Sequence, residues 1–228
     1  MKKDFAILFD LNGTVVDTEI AHSSSYKEVL REYGLSFTVE KFTDHWTRQG
    51  KKIDEYLIKI GRGDLVPQSK EIKRKKDVIF RETIADLATL VPGVVELLER
   101  LKDKKMKIGL ESSSPWANVE KVITHYNVKS YFDQFSVLDS GLDESIYGPA
   151  KKKSSRLKYL AYLMKFPPNK CVLLGDAEKD MIGAKEAGMK SVAVPTQYTK
   201  NNNFEHADKV LASYKEVTLE LLESLFNH

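Results

Sequence analysis

The stretch "CVLLGDAEKDMIGAKEAGMKSVAVP" occupies residues 171–195. Its first five residues form an apolar run that ends in Gly175 and then Asp176. A helical pattern comes next through Ile182, Ala184 and Ala187, with Gly188 as a helix stop. A second apolar run, "SVAVP", closes the segment at 191–195. Such runs are continuous rather than alternating, which marks strands buried on both faces of a sheet. Strand, helix and strand in this order are the repeating unit of a parallel sheet.

The same rhythm recurs on either side. "FAILF" (5–9), "MKIGL" (106–110) and "FSVL" (135–138) read as further buried strands. Val94, Val95, Leu97, Leu98 and Leu101 give a helix before the second of these, and Leu157, Leu160, Ala161 and Met164 one before residue 171. The sequence therefore predicts an α/β, doubly wound parallel-sheet (Rossmann-like) core. From Val16 to Thr83 the rhythm stops and helical patterns take over: Tyr26, Val29, Leu30 and Tyr33 share a face, as do Ile53, Tyr56, Leu57 and Ile60. The expected organisation is a core of 1–15 and 84–228 with an all-helical cap inserted at 16–83.

Ligands of open α/β sheets collect at the carboxyl ends of the strands. The first strand here runs into Asp10, the second into "ESSSP" (111–115), and the fourth into "GDAEKD" with Asp176 and Asp180. A lysine run, 151–153, opens the helix before the fourth. One acid after an apolar run is usually only a turn or a cap. Three such strand ends together with the lysine run suit phosphoryl transfer. A carboxylate can attack phosphorus and split one hard step into two. Acids facing a phosphate need a hard divalent cation, hydroxyls and N–H groups hold the phosphoryl oxygens, and a lysine offsets the charge.

"DLNGT", "GLESSSP", a downstream lysine and "LLGDAEKDMIGAKEAGM" resemble the four motifs of the haloacid dehalogenase superfamily, and the insertion resembles the helical cap of its β-phosphoglucomutase and phosphoglycolate phosphatase-like branch. The resemblance covers essentially the whole chain. It implies a Mg²⁺-dependent phosphohydrolase acting on a small phosphorylated metabolite. It assigns Asp10 as nucleophile and metal ligand, the Asn12 carbonyl as a second ligand, and Asp176 and Asp180 as the remaining metal acids. Ser112 would bind the phosphoryl group. Thr14, Ser113, Arg48 and Lys75 are expected to contact substrate. Relatives usually carry Gly-Lys-Pro where this chain has "PAKKKSS", and counting back from Asp176 selects Lys151 as the catalytic lysine. Glu111 stands where a small residue is common.

Asn12 departs from the pattern. Relatives place there an aspartate that protonates the leaving oxygen and then activates water, and an amide can do neither. General acid–base catalysis is worth about 10²–10⁴-fold, so the expectation is a slowed enzyme. Two alternatives stand beside it: a catalytically impaired phosphate-binding relative, and a metal-independent haloacid dehalogenase, which would leave Asp176 and Asp180 unexplained. Asn12-Gly13 is also a deamidation-prone dipeptide, and its conversion would restore a carboxylate at this position.

Composition narrows the partners. A net charge of +3, from 36 basic and 33 acidic residues, is too small to imply nucleic acid. Cys171 is the lone cysteine and can form no internal disulfide. The apolar run after the first four residues is too short for a signal peptide, and no window approaches a membrane span. These features predict a cytoplasmic protein with neither nucleic-acid nor membrane partners.

Overall fold

The structure is a computed structural model that describes residues 4–227. Strand β1 (Ala6–Asp10) leads to the two-residue strand β2 (Val16–Asp17) and helix α1 (Glu19–Glu32). Then come α2 (Val39–Phe42), a π-helical turn (Thr43–Arg48), α3 (Ile53–Lys59), α4 (Ser69–Leu87) and the short β3 (Thr89–Leu90). The chain continues through α5 (Val94–Asp103), β4 (Lys107–Glu111), α6 (Trp116–His125), β5 (Gln134–Ser136), α7 (Glu144–Tyr147) and α8 (Lys153–Met164). It ends with β6 (Cys171–Gly175), α9 (Glu178–Ala187), β7 (Lys190–Ala193), β8 (Lys209–Val210) and α10 (Leu219–Ser224). Two compact units result: residues 1–16 with 90–228, and residues 17–89. The helix that carries the basic run "KEIKRKKDVIF" continues to Leu87, so the helical segment outlasts residue 83.

In the first unit the strands lie in the order β5-β4-β1-β6-β7-β8, each pairing parallel with its neighbour. Every residue of β1 and β6 is buried, which accounts for their unbroken apolar sequences. Ala6, Leu8, Cys171 and Leu173 from the sheet pack with Leu157, Leu160, Ala161 and Met164 of α8 and Ala184 and Ala187 of α9. Truncating one such leucine to alanine costs about 2–5 kcal/mol. β8, at the sheet edge, is a strand the sequence did not announce: Lys209 and Val210 are both exposed and carry no buried face to read. The register brings the strand ends together. Asp10 stands level with Glu111, and Phe9 with Leu174, so the carboxyl ends of β1, β4 and β6 meet at one height.

The second unit is built on its own aromatic core. Tyr26, Val29 and Leu30 of α1 cluster with Phe37, Phe42, Ile53, Tyr56, Leu57 and Ile72. Trp46 stacks on Phe42 at 5.4 Å and lies 5.2 Å from Tyr56. Within the π-helical turn, Thr43 and Thr47 both donate their hydroxyls to the buried carboxylate of Glu19. Lys76 is a buried cation of this unit, its ammonium 3.1 Å from Asp77 and over the rings of Phe80 and Tyr26. Burial pulls the Lys76 pKa down to about 8, although Asp77 works against the shift. Burial also opposes ionisation of Asp77, but Lys76 and Lys73 outweigh it and hold that carboxyl at about 2. Among the described residues, no helix is long and apolar enough to cross a membrane.

Candidate active site

The site begins where β1 stops. Asp10 ends the strand, and the chain then wraps around the Leu11 carbonyl, which accepts from the N–H groups of Val15 (2.9 Å) and Val16 (3.1 Å). Gly13 permits the turn. Its φ is +87°, and a Cβ there would sit 2.5 Å from the Asp176 carboxylate. No side chain fits between the loop and that acid. The Gly13 N–H donates to the Val16 carbonyl at 2.8 Å. Deamidation of Asn12 needs that nitrogen released to attack the side chain, so the folded loop works against the conversion that the dipeptide suggests.

Asp176 comes directly after β6, and Asp180 lies in the first turn of α9. One oxygen from each of Asp10, Asp176 and Asp180 falls within a 4.8 Å cluster, and all three residues are buried. Asp176 accepts from two buried hydroxyls, Thr14 Oγ1 at 3.4 Å and Thr199 Oγ1 at 3.2 Å. Asp180 Oδ2 accepts from the backbone N–H groups of Asp176 (3.1 Å) and Ala177 (3.0 Å), which closes the turn into α9.

The lysine differs from the one selected by spacing. Lys151 and Lys152 are exposed in the turn before α8. It is Lys153, the first residue of α8, whose Nζ lies 2.5 Å from Asp10 Oδ1, 2.5 Å from Glu111 Oε2 and 2.9 Å from Asp180 Oδ1. Its stem runs past Gly183 of α9, where an added Cβ would stand 3.0 Å from the Lys153 Cβ and Cγ. Counting along the sequence fails because α8 starts at the third lysine of the run, and the helix start decides which one turns inward.

Charge is unbalanced in this cluster. Burial raises the Asp10 pKa to about 7; Lys153 opposes the rise, and Asp180 and Glu111 add to it. Burial likewise lifts Asp176 well above the carboxylate range, helped by Asp180 and Asp10. Burial disfavours the charged form of Lys153, but Asp10, Asp180 and Glu111 outweigh it and hold the amine well above its usual pKa. Three hard oxygen donors with surplus negative charge fit a divalent cation.

Ser112 is buried, and its Oγ accepts from the Ser114 N–H at 3.1 Å. The Asn12 amide nitrogen lies 3.5 Å from both Ser112 Oγ and Ser114 Oγ. Ser113 is exposed between them. In the helical unit Arg48 is exposed at the end of the π-helical turn. Lys75 pairs with Glu32 at 2.5 Å and lies over the Tyr33 ring, while the next residue, Lys76, is the buried one. Ser114 and Thr199 were not singled out from sequence, Lys153 was passed over for Lys151 within its run, and Arg156 was not considered. Only for the last two was there a signal: a lysine and an arginine three apart opening an apolar helix, and an unexplained acid, Glu111, needing a cation.

A buried strand-end carboxylate, an ammonium on one of its oxygens and two further acids beside it make a phosphohydrolase site on a doubly wound core. The family model for haloacid dehalogenase-like hydrolases matches residues 7–194, and the chain belongs to that family. It is 29% identical over 210 residues to protein CbbY of Rhodobacter capsulatus, covering 89% of this chain and 90% of that protein. It is 27% identical over 188 residues to the fructose-1-phosphate phosphatase YqaB of Escherichia coli (strain K12), covering 82% and 95%. Among solved structures, a CbbY variant from Rhodobacter sphaeroides in complex with xylulose-(1,5)bisphosphate superposes with a TM-score of 0.79 at 25% identity, covering 92% of this chain and 95% of that one.

Proposed function

We propose that the protein is a Mg²⁺-dependent phosphohydrolase acting on a small phosphorylated sugar or similar phosphomonoester through an aspartyl-phosphate on Asp10. The observation that carries the reading is the Asp10 carboxylate with Lys153 on Oδ1 and Asp176 and Asp180 alongside. A carboxylate oxygen of Asp10 attacks phosphorus and the P–O bond to the leaving alcohol breaks. Water then attacks the acyl phosphate and releases inorganic phosphate, with Asp10 regenerated. Lys153 offsets charge on the nucleophile and the transferred group. Ser112 is assigned to a phosphoryl oxygen. Asp10, Asp176, Asp180 and the Asn12 carbonyl would hold Mg²⁺, which supplies Lewis-acid stabilisation of the phosphoryl oxygens when bound. The sugar-phosphate class is supported by the fructose-1-phosphate phosphatase and the bisphosphate-bound CbbY relative.

Asn12 gives this chain its particular character. It can neither protonate the leaving alkoxide nor deprotonate water. Turnover is slow, and slowest for poor leaving groups. A second reading rests on the same residue: the chain binds a phosphorylated metabolite and turns it over negligibly. A metal-independent dehalogenase leaves the three-acid cluster without a purpose. The deciding experiment is a phosphatase assay over small sugar phosphates with Mg²⁺ or with EDTA, using the chain as it stands, Asn12→Asp and Asp10→Ala. Mg²⁺-dependent phosphate release, raised by the first substitution and abolished by the second, is expected. If Asn12→Asp binds a phosphate ester yet stays inert throughout, the binding reading replaces the enzyme.

A further inference from the structure

Glu111 is the fourth carboxylate at the meeting point of the strands, and the phosphohydrolase mechanism gives it no work. It is fully buried at the end of β4, level with Asp10 across the sheet. An isolated buried carboxylate is costly, so its neighbours carry the explanation. Its two oxygens are divided between two cations of α8. Oε1 accepts from Arg156 Nε at 2.6 Å, and Oε2 lies 2.5 Å from Lys153 Nζ. Lys153 and Arg156 are three residues apart, so one face of the first turn of α8 presents both to the strand end.

Arg156 reaches further. Buried to 2% exposure, it donates from Nη1 to the carbonyl of Ala150. That bond ties the helix back to the turn carrying Lys151 and Lys152. The stem of Lys153 is held as well, because it runs against Gly183. A lysine otherwise has a flexible four-carbon stem and no preferred direction. Here both the stem and the head are fixed.

We propose that Glu111 is a positioning residue. With Arg156 it selects Lys153 from three consecutive lysines and fixes the ammonium on Asp10 Oδ1. The placement stands on geometry alone. Its consequence for turnover rests on the phosphohydrolase reading.

Two measurements separate the layers. The first uses amine acetylation of the folded, substrate-free chain, with peptide mass spectrometry at Lys151, Lys152 and Lys153 as the readout. Lys153, held by three carboxylates, is expected to react slowest in the unaltered chain. Losing one charge-assisted hydrogen bond corresponds to about a tenfold change, so Glu111→Gln is expected to speed Lys153 labelling about tenfold and leave Lys151 and Lys152 unaltered. Arg156→Lys keeps the charge but loses the bond to Ala150, and is expected to act in the same direction. It serves as the second arm should Glu111→Gln fold poorly by circular dichroism. The second measurement is a double-mutant cycle on turnover of a small aryl phosphate. Glu111→Gln is expected to slow turnover about tenfold in the unaltered chain, the worth of one charge-assisted bond, and to add nothing in a Lys153→Met background. A purely structural role would give additive losses.

Unchanged labelling of Lys153 in both folded variants overturns the proposal, as does additivity in the cycle. Faster labelling with no phosphate-ester turnover in any variant, Asn12→Asp included, upholds the positioning and removes the phosphohydrolase reading instead.

Discussion

Replacing Asn12 by aspartate should convert a slow phosphohydrolase into a fast one. General acid–base catalysis contributes about 10²–10⁴-fold, equivalent to roughly 3–5 kcal/mol of barrier. Little local structure stands in the way: the Asn12 amide nitrogen sits 3.5 Å from Ser112 Oγ and Ser114 Oγ, and a carboxylate could accept from both hydroxyls. The opposing term is charge. Burial already raises the Asp10 pKa to about 7, against the pull of Lys153 and with Asp180 and Glu111 adding to the rise. A further like charge at ~4 Å costs about 4 kcal/mol at an effective dielectric near 20. Without a divalent cation the two terms nearly cancel, so the gain is confined to saturating Mg²⁺. Leaving groups supply the decisive assay. For alkyl phosphates the substitution should accelerate both half-reactions, and for nitrophenyl phosphate only the second, because that alcohol leaves without a proton. Rapid-quench measurement of the aspartyl-phosphate separates the steps: it should accumulate in the unaltered chain with the aryl ester and vanish in Asn12→Asp. Equal acceleration of phosphoenzyme formation for both substrate types would refute the assignment of position 12 to proton transfer.

The other expectations are more compact. Lys153→Met should lower phosphoenzyme formation by about 10²-fold or more, the scale of losing a preorganised charge contact, while Lys151→Met stays within about twofold in the same assay. Asp176→Asn should abolish the Mg²⁺-induced rise in melting temperature measured by scanning calorimetry; an unchanged rise would put the cation elsewhere. Lys76 has a folded pKa of about 8 against 10.5 unfolded, so the unfolded chain holds the extra proton between those values. Stability should therefore rise with pH from about 8 upward, by no more than about 3 kcal/mol over the full interval. Urea unfolding read from Trp46 fluorescence in a Trp116→Phe background at pH 7.5 and 9.5 should show the rise, and Lys76→Met should lack it.

The architecture was legible because burial on both faces leaves a signature that alternation cannot mimic. "FAILF" and "CVLLG" could only be central strands, and they are the two at the middle of the sheet. The carboxylates were equally legible, since a strand end fixes where the next residue goes. Asp10 and Asp176 needed no more than that. Lys153 was different. Three adjacent lysines carry the same chemistry, and which one turns inward depends on where α8 begins and on what Glu111 and Arg156 hold. Spacing along one chain contains no trace of a partner on another strand. Thr199 is the extreme case: its hydroxyl meets Asp176 from a loop with no periodic pattern at all. In the helical unit, Lys75 and Lys76 are adjacent on one helix, and one is tied to Glu32 on the outside while the other is buried with Asp77. A turn of about 100° decides between them, and composition cannot show it.

The strand order also sets a timetable for biosynthesis. β1 lies at the middle of the sheet and is made before both of its partners, β4 and β6, which begin at Lys107 and Cys171. At about 5–20 residues per second, a ribosome needs roughly 8–30 s to travel from Asp10 to Cys171. Until β4 is made, a fully apolar pentapeptide, the kind of segment that nucleates aggregation, waits with neither edge completed, and until β6 is made with only one. Lys2, Lys3 and Asp4 stand directly before it in the sequence, charged neighbours of the type that keep such a segment soluble. The helical insertion, whose contacts are local, can collapse while the strand is still waiting. The same topology that gathers the acids at one sheet end thus leaves the central strand waiting for partners made much later.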